Sequence, residues 1–214
     1  SELLEKTIQY HDPNGNWENF EGILEVTMEV PEGSNRYSKI HIDRTADYFQ
    51  VEATRDSITT TYTLDKGKCE IALNGQSDLA ESVLETHQLS CERANMYKNY
   101  YTYLYGLPMK LKDAGTIIDP EVTKQKFKGK EYLVLKVSYE QEVGSDVWFF
   151  YFDPKTFAME IYQFYKGDPK SVGKDTGEYI LLSGEKLING IKMPKNRAWY
   201  YNKDDGYLGV DKLQ

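Results

Sequence analysis

The sequence lacks the marks of several common classes of protein. It contains no uninterrupted run of about 18 apolar residues, which is the length that a membrane-spanning helix needs. Basic residues are also a minority, because 34 acidic side chains outnumber 26 basic ones and give a net charge of -8. The lysines that do cluster, Lys124 to Lys130, alternate with other residues and are interpreted as a turn between strands. Since phosphate binding depends on clustered lysine and arginine, we expect no nucleic-acid partner.

Motifs for catalysis and cofactor binding are absent as well. The chain has no Gly-x-Ser-x-Gly turn, no His-Glu-x-x-His helix and no glycine-rich phosphate loop. His41 and Asp43 would share one face of a strand and could supply two metal ligands, but no obvious third or fourth ligand accompanies them. We therefore expect a non-enzymatic protein without a cofactor or a metal, and a hydrolase is the least favoured alternative.

Cysteine is scarce, with two residues in the chain. Cys69 and Cys91 lie 22 positions apart, too far for a CxxC redox or zinc motif. They form either one disulfide or two buried free thiols, and the sequence leaves both alternatives open.

Aromatic residues and alternating patterns indicate β structure. The chain has 18 tyrosines, eight phenylalanines and three tryptophans, which pack well on pleated surfaces. Apolar residues at every second position recur between residues 24 and 73 and again between 133 and 201, with turns such as Asn74-Gly75 and Asn189-Gly190 between them. These patterns predict about ten or eleven short strands in sequential hairpins, with helices at about 2–11 and 91–105 and a helical or irregular segment at 77–84.

A sheet of that size must curl or close to protect its edges. We predict an α+β fold in which a large curled antiparallel sheet, an open half-barrel, carries helices over its concave face. No linker and no internal repeat interrupts the chain, so residues 1–214 are predicted to form a single domain.

The helix predicted at 91–105 carries the strongest candidate for a binding site. Its tyrosines and one leucine recur at i, i+3, i+4, i+7 and i+8, and an apolar loop follows Gly106 and contains Pro108. These side chains either line a cavity for an apolar ligand or pack against the sheet as core. The candidate residues are Tyr97, Tyr100, Tyr101, Leu104, Tyr105, Leu107 and Met109.

Five stretches of the chain carry a family resemblance: Tyr10 to Trp17, Tyr101 to Leu111, Tyr151 to Thr156, Asn189 to Pro194 and Asn202 to Asp205. They resemble an uncharacterised family of exported Gram-negative bacterial proteins, many of which look like lipoproteins. The order of the predicted elements and the turns at Asp153 to Thr156 and Asn189 to Pro194 have a more distant resemblance to the LolA/LolB-type lipoprotein carriers, whose curled antiparallel sheet is covered by helices.

The resemblance implies a protein of the periplasm or cell envelope, exported by a leader that is absent from this chain. It further implies a membrane tether through a lipid on a removed N-terminal cysteine. The expected function is binding or transport of an apolar ligand, a lipid or a lipoprotein acyl chain, by a monomer. The alternative is an envelope scaffold or binding module for a glycan or a protein, with a filled core and exposed aromatic residues.

Overall fold

The computed structural model describes residues 1–214, and contacts along the chain divide it into two compact units. Unit 1 comprises Ser1–Asn14 and Pro108–Val210, and unit 2 comprises Gly15–Leu107 and Asp211–Gln214. The single domain expected over 1–214 stays a prediction. No helix combines the length and the apolar character that crossing a membrane would require.

Unit 2 is built from five antiparallel strands and two helices. The strands pair in sequence order, each with the next. The elements are β1 (Glu21–Glu29), β2 (Arg36–Asp43), β3 (Tyr48–Arg55), β4 (Ile58–Asp65), β5 (Lys68–Leu73), α2 (Glu81–Thr86) and α3 (Cys91–Gly106).

Alternating apolar residues give this sheet one buried face. Ile40 and Phe49 are fully buried, and Leu64 on β4 lies on the same side. The turn between β4 and β5 consists of Lys66 and Gly67, which both have positive φ, as a two-residue hairpin turn requires.

Helix α3 packs on the face of β3, β4 and β5. It begins after Ser90, whose hydroxyl oxygen accepts a hydrogen bond from the Arg93 backbone N–H at 3.1 Å. A disulfide joins Cys91, the first residue of the helix, to Cys69 on β5. The helix is thus fastened to the sheet at its N-terminal end.

Unit 1 contains the remaining strands and the N-terminal helix. Helix α1 packs on β12, and the strands are again antiparallel. The elements are α1 (Glu2–His11), a 3-10 helix (Met109–Lys112), β6 (Thr116–Ile118), β7 (Thr123–Phe127), β8 (Lys130–Tyr139), β9 (Val147–Phe152), β10 (Met159–Tyr165), α4 (Pro169–Val172), β11 (Glu178–Ile188), β12 (Ile191–Tyr201) and β13 (Tyr207–Leu213).

Strand β9 carries aromatic side chains on both of its faces. On one face Trp148 stacks on Phe164 of β10, with ring centroids 4.8 Å apart. On the other face the Tyr151 hydroxyl donates to the Gln163 side-chain oxygen at 2.8 Å, within a core that includes Tyr132. Phe150 and Tyr151 are consecutive residues on opposite faces of β9 and both are buried, so the sheet is covered on both sides at this point.

Twelve of the thirteen strands follow one another in the order β5-β4-β3-β2-β1-β13-β12-β11-β10-β9-β8-β6, and β7 also pairs with β8. The order begins and ends on different strands, so the sheet does not close. The predicted class, an α+β fold on a large unclosed antiparallel sheet, is confirmed, with thirteen strands instead of ten or eleven. The sequence prediction omitted β6, β7 and β13, and it divided β12 into two strands.

Candidate functional site

A cavity of about 350 Å³ opens in unit 2 between α3, the segment before it and the face of β2, β3 and β4. Its volume lies near the lower end of the range of about 300–1,000 Å³ for small-molecule sites. The lining residues are Arg36, Val51, Ala53, Arg55, Asp56, Ile58, Thr60, Tyr62, His87, Leu89, Arg93, Tyr97 and Tyr101.

One part of this cavity is apolar and aromatic. Val51 and Leu89 are almost fully buried, whereas Ile58 keeps 41% of its surface exposed near the opening. Tyr97 stacks on Tyr101 along α3, with ring centroids 6.1 Å apart, and lies 5.6 Å from the ring of Tyr62 on β4. The tyrosines thus join the helix to the sheet across an apolar surface.

Another part of the cavity is cationic. The Arg36 guanidinium donates from Nη2 to the Tyr101 hydroxyl at 3.2 Å, while its Nε is buried without a hydrogen-bond partner. Arg93 donates from Nη1 to the Gln88 carbonyl oxygen at 3.1 Å. Arg55 is exposed at the rim beside Asp56, which accepts a hydrogen bond from the Ser34 hydroxyl.

The environment of Arg36 keeps its guanidinium charged. Burial acts to lower the pKa of Arg36, but the electrostatic effects of Tyr101, Tyr97 and Asp211 outweigh it and raise the pKa above the ordinary value. Burial also raises the pKa of the Tyr101 hydroxyl. At neutral pH the pair is therefore a cation beside a neutral phenol.

The sequence-predicted site residues occupy different environments. Tyr97 and Tyr101 line the cavity, and Tyr100 is 37% exposed with its ring against that of Tyr101. The other four residues are buried and do not line the cavity: Leu104, Tyr105, Leu107 and Met109.

Sequence reasoning did not identify the two arginines, although the chain carries a signal for each. Arg36 precedes Ile40 by four positions on β2 and therefore lies on the same, buried face. Arg93 precedes Tyr97 by four positions on α3 and lies on the tyrosine face.

A second cleft, of about 490 Å³, lies in unit 1 beside the end of α1. Its polar groups already have partners. The Met159 backbone N–H donates to His11 Nε2 at 2.9 Å, so the other ring nitrogen, Nδ1, carries the proton and donates to the Lys192 carbonyl oxygen at 2.7 Å. The Glu185 carboxylate accepts from the Tyr10 hydroxyl at 2.7 Å, which contributes, after burial, to raising the pKa of Tyr10 to about 12. These contacts serve the docking of α1.

The two units contain no group of three or more His, Cys, Asp or Glu side chains placed to hold a metal ion. His41 instead packs its ring against Tyr48, with centroids 5.0 Å apart. The chemistry available in the cavity of unit 2 is thus apolar contact, hydrogen bonding by phenols and attraction by guanidinium groups.

Comparison with solved structures shows the fold class. A LolA superfamily protein from Nitrosomonas europaea matches all of this chain and 90% of its own, with a TM-score of 0.55 and 13% identity. A DUF1329 family protein from Desulfovibrio piger matches all of this chain and 89% of its own, with a TM-score of 0.50 and 11% identity. At these identities the likeness shows a LolA-like fold.

The chain belongs to a family of unknown function, DUF6503, whose model matches residues 1–213. A search of curated proteins gave no match to the sequence. Membership of an uncharacterised family and the distant LolA-like resemblance, both expected from local motifs, are confirmed.

Proposed function

We propose that this protein binds an apolar ligand, a lipid or an acyl chain, in the cavity of unit 2 and carries it in the cell envelope without catalysing a reaction. The observation that supports the proposal best is the cavity beneath α3, where Tyr97 and Tyr101 face Val51 and Leu89. Burial of the ligand's apolar surface against these side chains supplies the affinity.

The LolA-like fold supports a binding or carrier role in general terms. A periplasmic location, a lipid tether and a monomeric state belong to the same proposal. The absence of a catalytic motif in the sequence led us to prefer a carrier to an enzyme.

Ligand capture can be tested with a variant that fills the cavity. Ala53 lines the cavity on β3, so Ala53→Trp should displace the ligand. On β5, Ile71 pairs with the cavity residue Tyr62 and shares its face of the sheet. The next residue, Ala72, therefore lies on the opposite face, so Ala72→Trp adds the same side chain away from the cavity. We expect wild type and Ala72→Trp, but not Ala53→Trp, to take up the neutral fluorophore N-phenylnaphthylamine.

Native mass spectrometry of gently purified protein, followed by organic extraction, provides the second measurement. A co-purifying acyl lipid that is lost in Ala53→Trp supports the proposal. A wild-type protein that is free of lipid and also fails to take up the fluorophore contradicts it.

An envelope scaffold is the second candidate, and one observation favours it. In unit 1, Tyr200 stacks on Tyr179 at 5.1 Å and contacts Tyr207 at 5.3 Å, and Tyr207 is 45% exposed. Tyr179 is buried, so Tyr200 and Tyr207 form the accessible part of this row, and accessible aromatic rings suit a glycan or a protein partner. This function becomes the leading one if the cavity binds nothing.

A further inference from the structure

Two arginines of the cavity have no anionic partner. Neither Arg36 nor Arg93 forms an ion pair. Their hydrogen bonds go to the neutral Tyr101 hydroxyl and to the backbone and side-chain oxygens of Gln88. By contrast, Lys98 of α3 pairs with Asp47, with Nζ 2.6 Å from the carboxylate. The two guanidinium groups thus remain available to an anionic ligand.

A half-buried guanidinium without a counter-charge is costly to maintain. Buried charges in proteins are normally paired, and a buried donor such as the Arg36 Nε is normally satisfied. Asp211 offsets part of the Arg36 charge electrostatically, and Asp56 is a carboxylate at the rim. The lining nonetheless holds three guanidinium groups against one carboxylate.

The two arginines approach the cavity from different elements. Arg36 begins β2, and Arg93 lies in the first turns of α3, one helical turn before Tyr97. Both line the same space as Val51 and Leu89. A planar guanidinium suits carboxylate and phosphate groups, since it can donate two parallel hydrogen bonds. One ligand could therefore place an anionic group and an apolar chain in the cavity together.

We propose that the ligand is a single-chain amphiphile with an anionic head group, a carboxylate or a phosphate, that is bound by Arg36 and Arg93. Its chain lies against Val51, Leu89 and the tyrosines. The modest volume favours one chain over two. The inference rests on the proposed function, of which it specifies the class of ligand.

Amphiphiles that share one alkyl chain isolate the contribution of the head group. Laurate, dodecyl phosphate, dodecyl maltoside and dodecyltrimethylammonium are compared below their micellar concentrations, by displacement of N-phenylnaphthylamine. We expect the two anionic compounds to bind at least about tenfold more tightly than the neutral and cationic ones, as charge-assisted hydrogen bonds imply. Tighter binding of either anion than of dodecyl maltoside supports the inference, and the ratio of the two anions' affinities distinguishes carboxylate from phosphate.

Variants then assign the effect to the arginines. Arg36→Gln and Arg93→Gln should each weaken anion binding by about tenfold and leave dodecyl maltoside unaffected. Lys39→Gln removes one positive charge from the opposite face of β2, where the side chain is exposed, and should change neither affinity. Near-ultraviolet circular dichroism checks that each variant is folded. If Arg36→Gln does not fold, Arg93→Gln provides the test.

The outcomes separate the two proposals. Equal affinity for the anionic and neutral compounds, with arginine variants that behave like wild type, overturns the anionic head group and leaves the carrier function intact. Equal weakening of all four compounds by Arg36→Gln also overturns it, because the residue would then only shape the cavity. Failure of wild type to bind any of the four overturns both proposals.

Discussion

At the scale of single residues, His11 shows how burial fixes a protonation state. Its ring accepts a hydrogen bond from the Met159 N–H and donates one to the Lys192 carbonyl oxygen, so both nitrogens are used in the neutral form. Burial lowers the pKa of His11 below 6.5, and the hydrogen bond to Lys192 offsets this only in part. The folded state therefore resists protonation of this residue.

The lowered pKa of His11 makes the free energy of unfolding depend on pH, and it fixes the direction of that dependence. Because the pKa of His11 is lower in the folded than in the unfolded chain, the unfolded chain binds the proton first. The contribution to stability is complete above pH 6.5 and declines as the pH falls below that value towards the folded pKa. Urea denaturation between pH 7.5 and 5.5 should show the decline.

His11→Gln provides the control for the pH effect. We expect it to lower the free energy of unfolding at pH 7.5 by about 1–3 kcal/mol, because a glutamine amide cannot take the places of both ring nitrogens, one accepting from the Met159 N–H and one donating to the Lys192 carbonyl oxygen. The variant should also lose the part of the pH dependence due to His11. An unchanged pH dependence would show that other groups cause it.

The cavity arginines show how far sequence reasoning reaches at this scale. The positions of Arg36 and Arg93 on buried faces follow from periods of two and 3.6 once β2 and α3 are assigned. Their lack of ion pairs does not follow, because it depends on which carboxylates of other elements lie nearby. Tyr97 and Tyr101 were found because aromatic residues on a helix face are visible without that knowledge.

At the scale of elements, α3 is held by its first residue. The Cys69–Cys91 disulfide closes a loop of the unfolded chain and so restricts its entropy. Replacing both residues by serine should lower the free energy of unfolding by about 3 kcal/mol, measured by urea denaturation. The fold should otherwise persist, because α3 also packs on β3, β4 and β5.

Reduction of the wild-type protein supplies the matched comparison. Wild type in excess dithiothreitol should unfold at the same urea concentration as the double serine variant. If the variant were as stable as oxidised wild type, packing alone would hold α3 and the disulfide would be dispensable.

Elements with clear periodicity were predicted well, and those without it were missed. The expected helices at 2–11 and 91–105 coincide closely with α1 and α3. Strand β13 was missed because its buried positions include Gly209 and Asp211, which conceal the alternating pattern. Strand β7 alternates lysines with polar residues and has almost no apolar face of its own.

At the scale of the whole molecule, unfolding will show whether the two units act as one domain. Trp17 lies in unit 2, while Trp148 and Trp199 lie in unit 1. Trp17→Phe and the double variant Trp148→Phe/Trp199→Phe therefore report on different units by fluorescence. We expect coincident midpoints, because β13 contributes residues to both units and includes the fully buried Leu213.

Each reporter variant needs comparison with its own circular dichroism, which follows the whole chain. If a substitution only lowers stability, the fluorescence and circular dichroism midpoints of that variant shift together. If it removes cooperativity between the units, the two midpoints differ. The single domain would be contradicted if the two variants had different fluorescence midpoints while their circular dichroism midpoints remained equal to that of wild type.

An unclosed sheet has two edges, and the edge at β8 consists of two short strands instead of one long strand. Two short strands pair with β8 there. Strand β6 pairs with Val137 to Tyr139 of β8, and β7 pairs with Lys130 to Val134 of β8. Pro120, which has no N–H to offer, lies between them. A passing chain therefore finds no long ladder of unpaired amide groups on which to add a strand. At this edge, the interruption should disfavour the addition of strands from other chains that leads to fibrils.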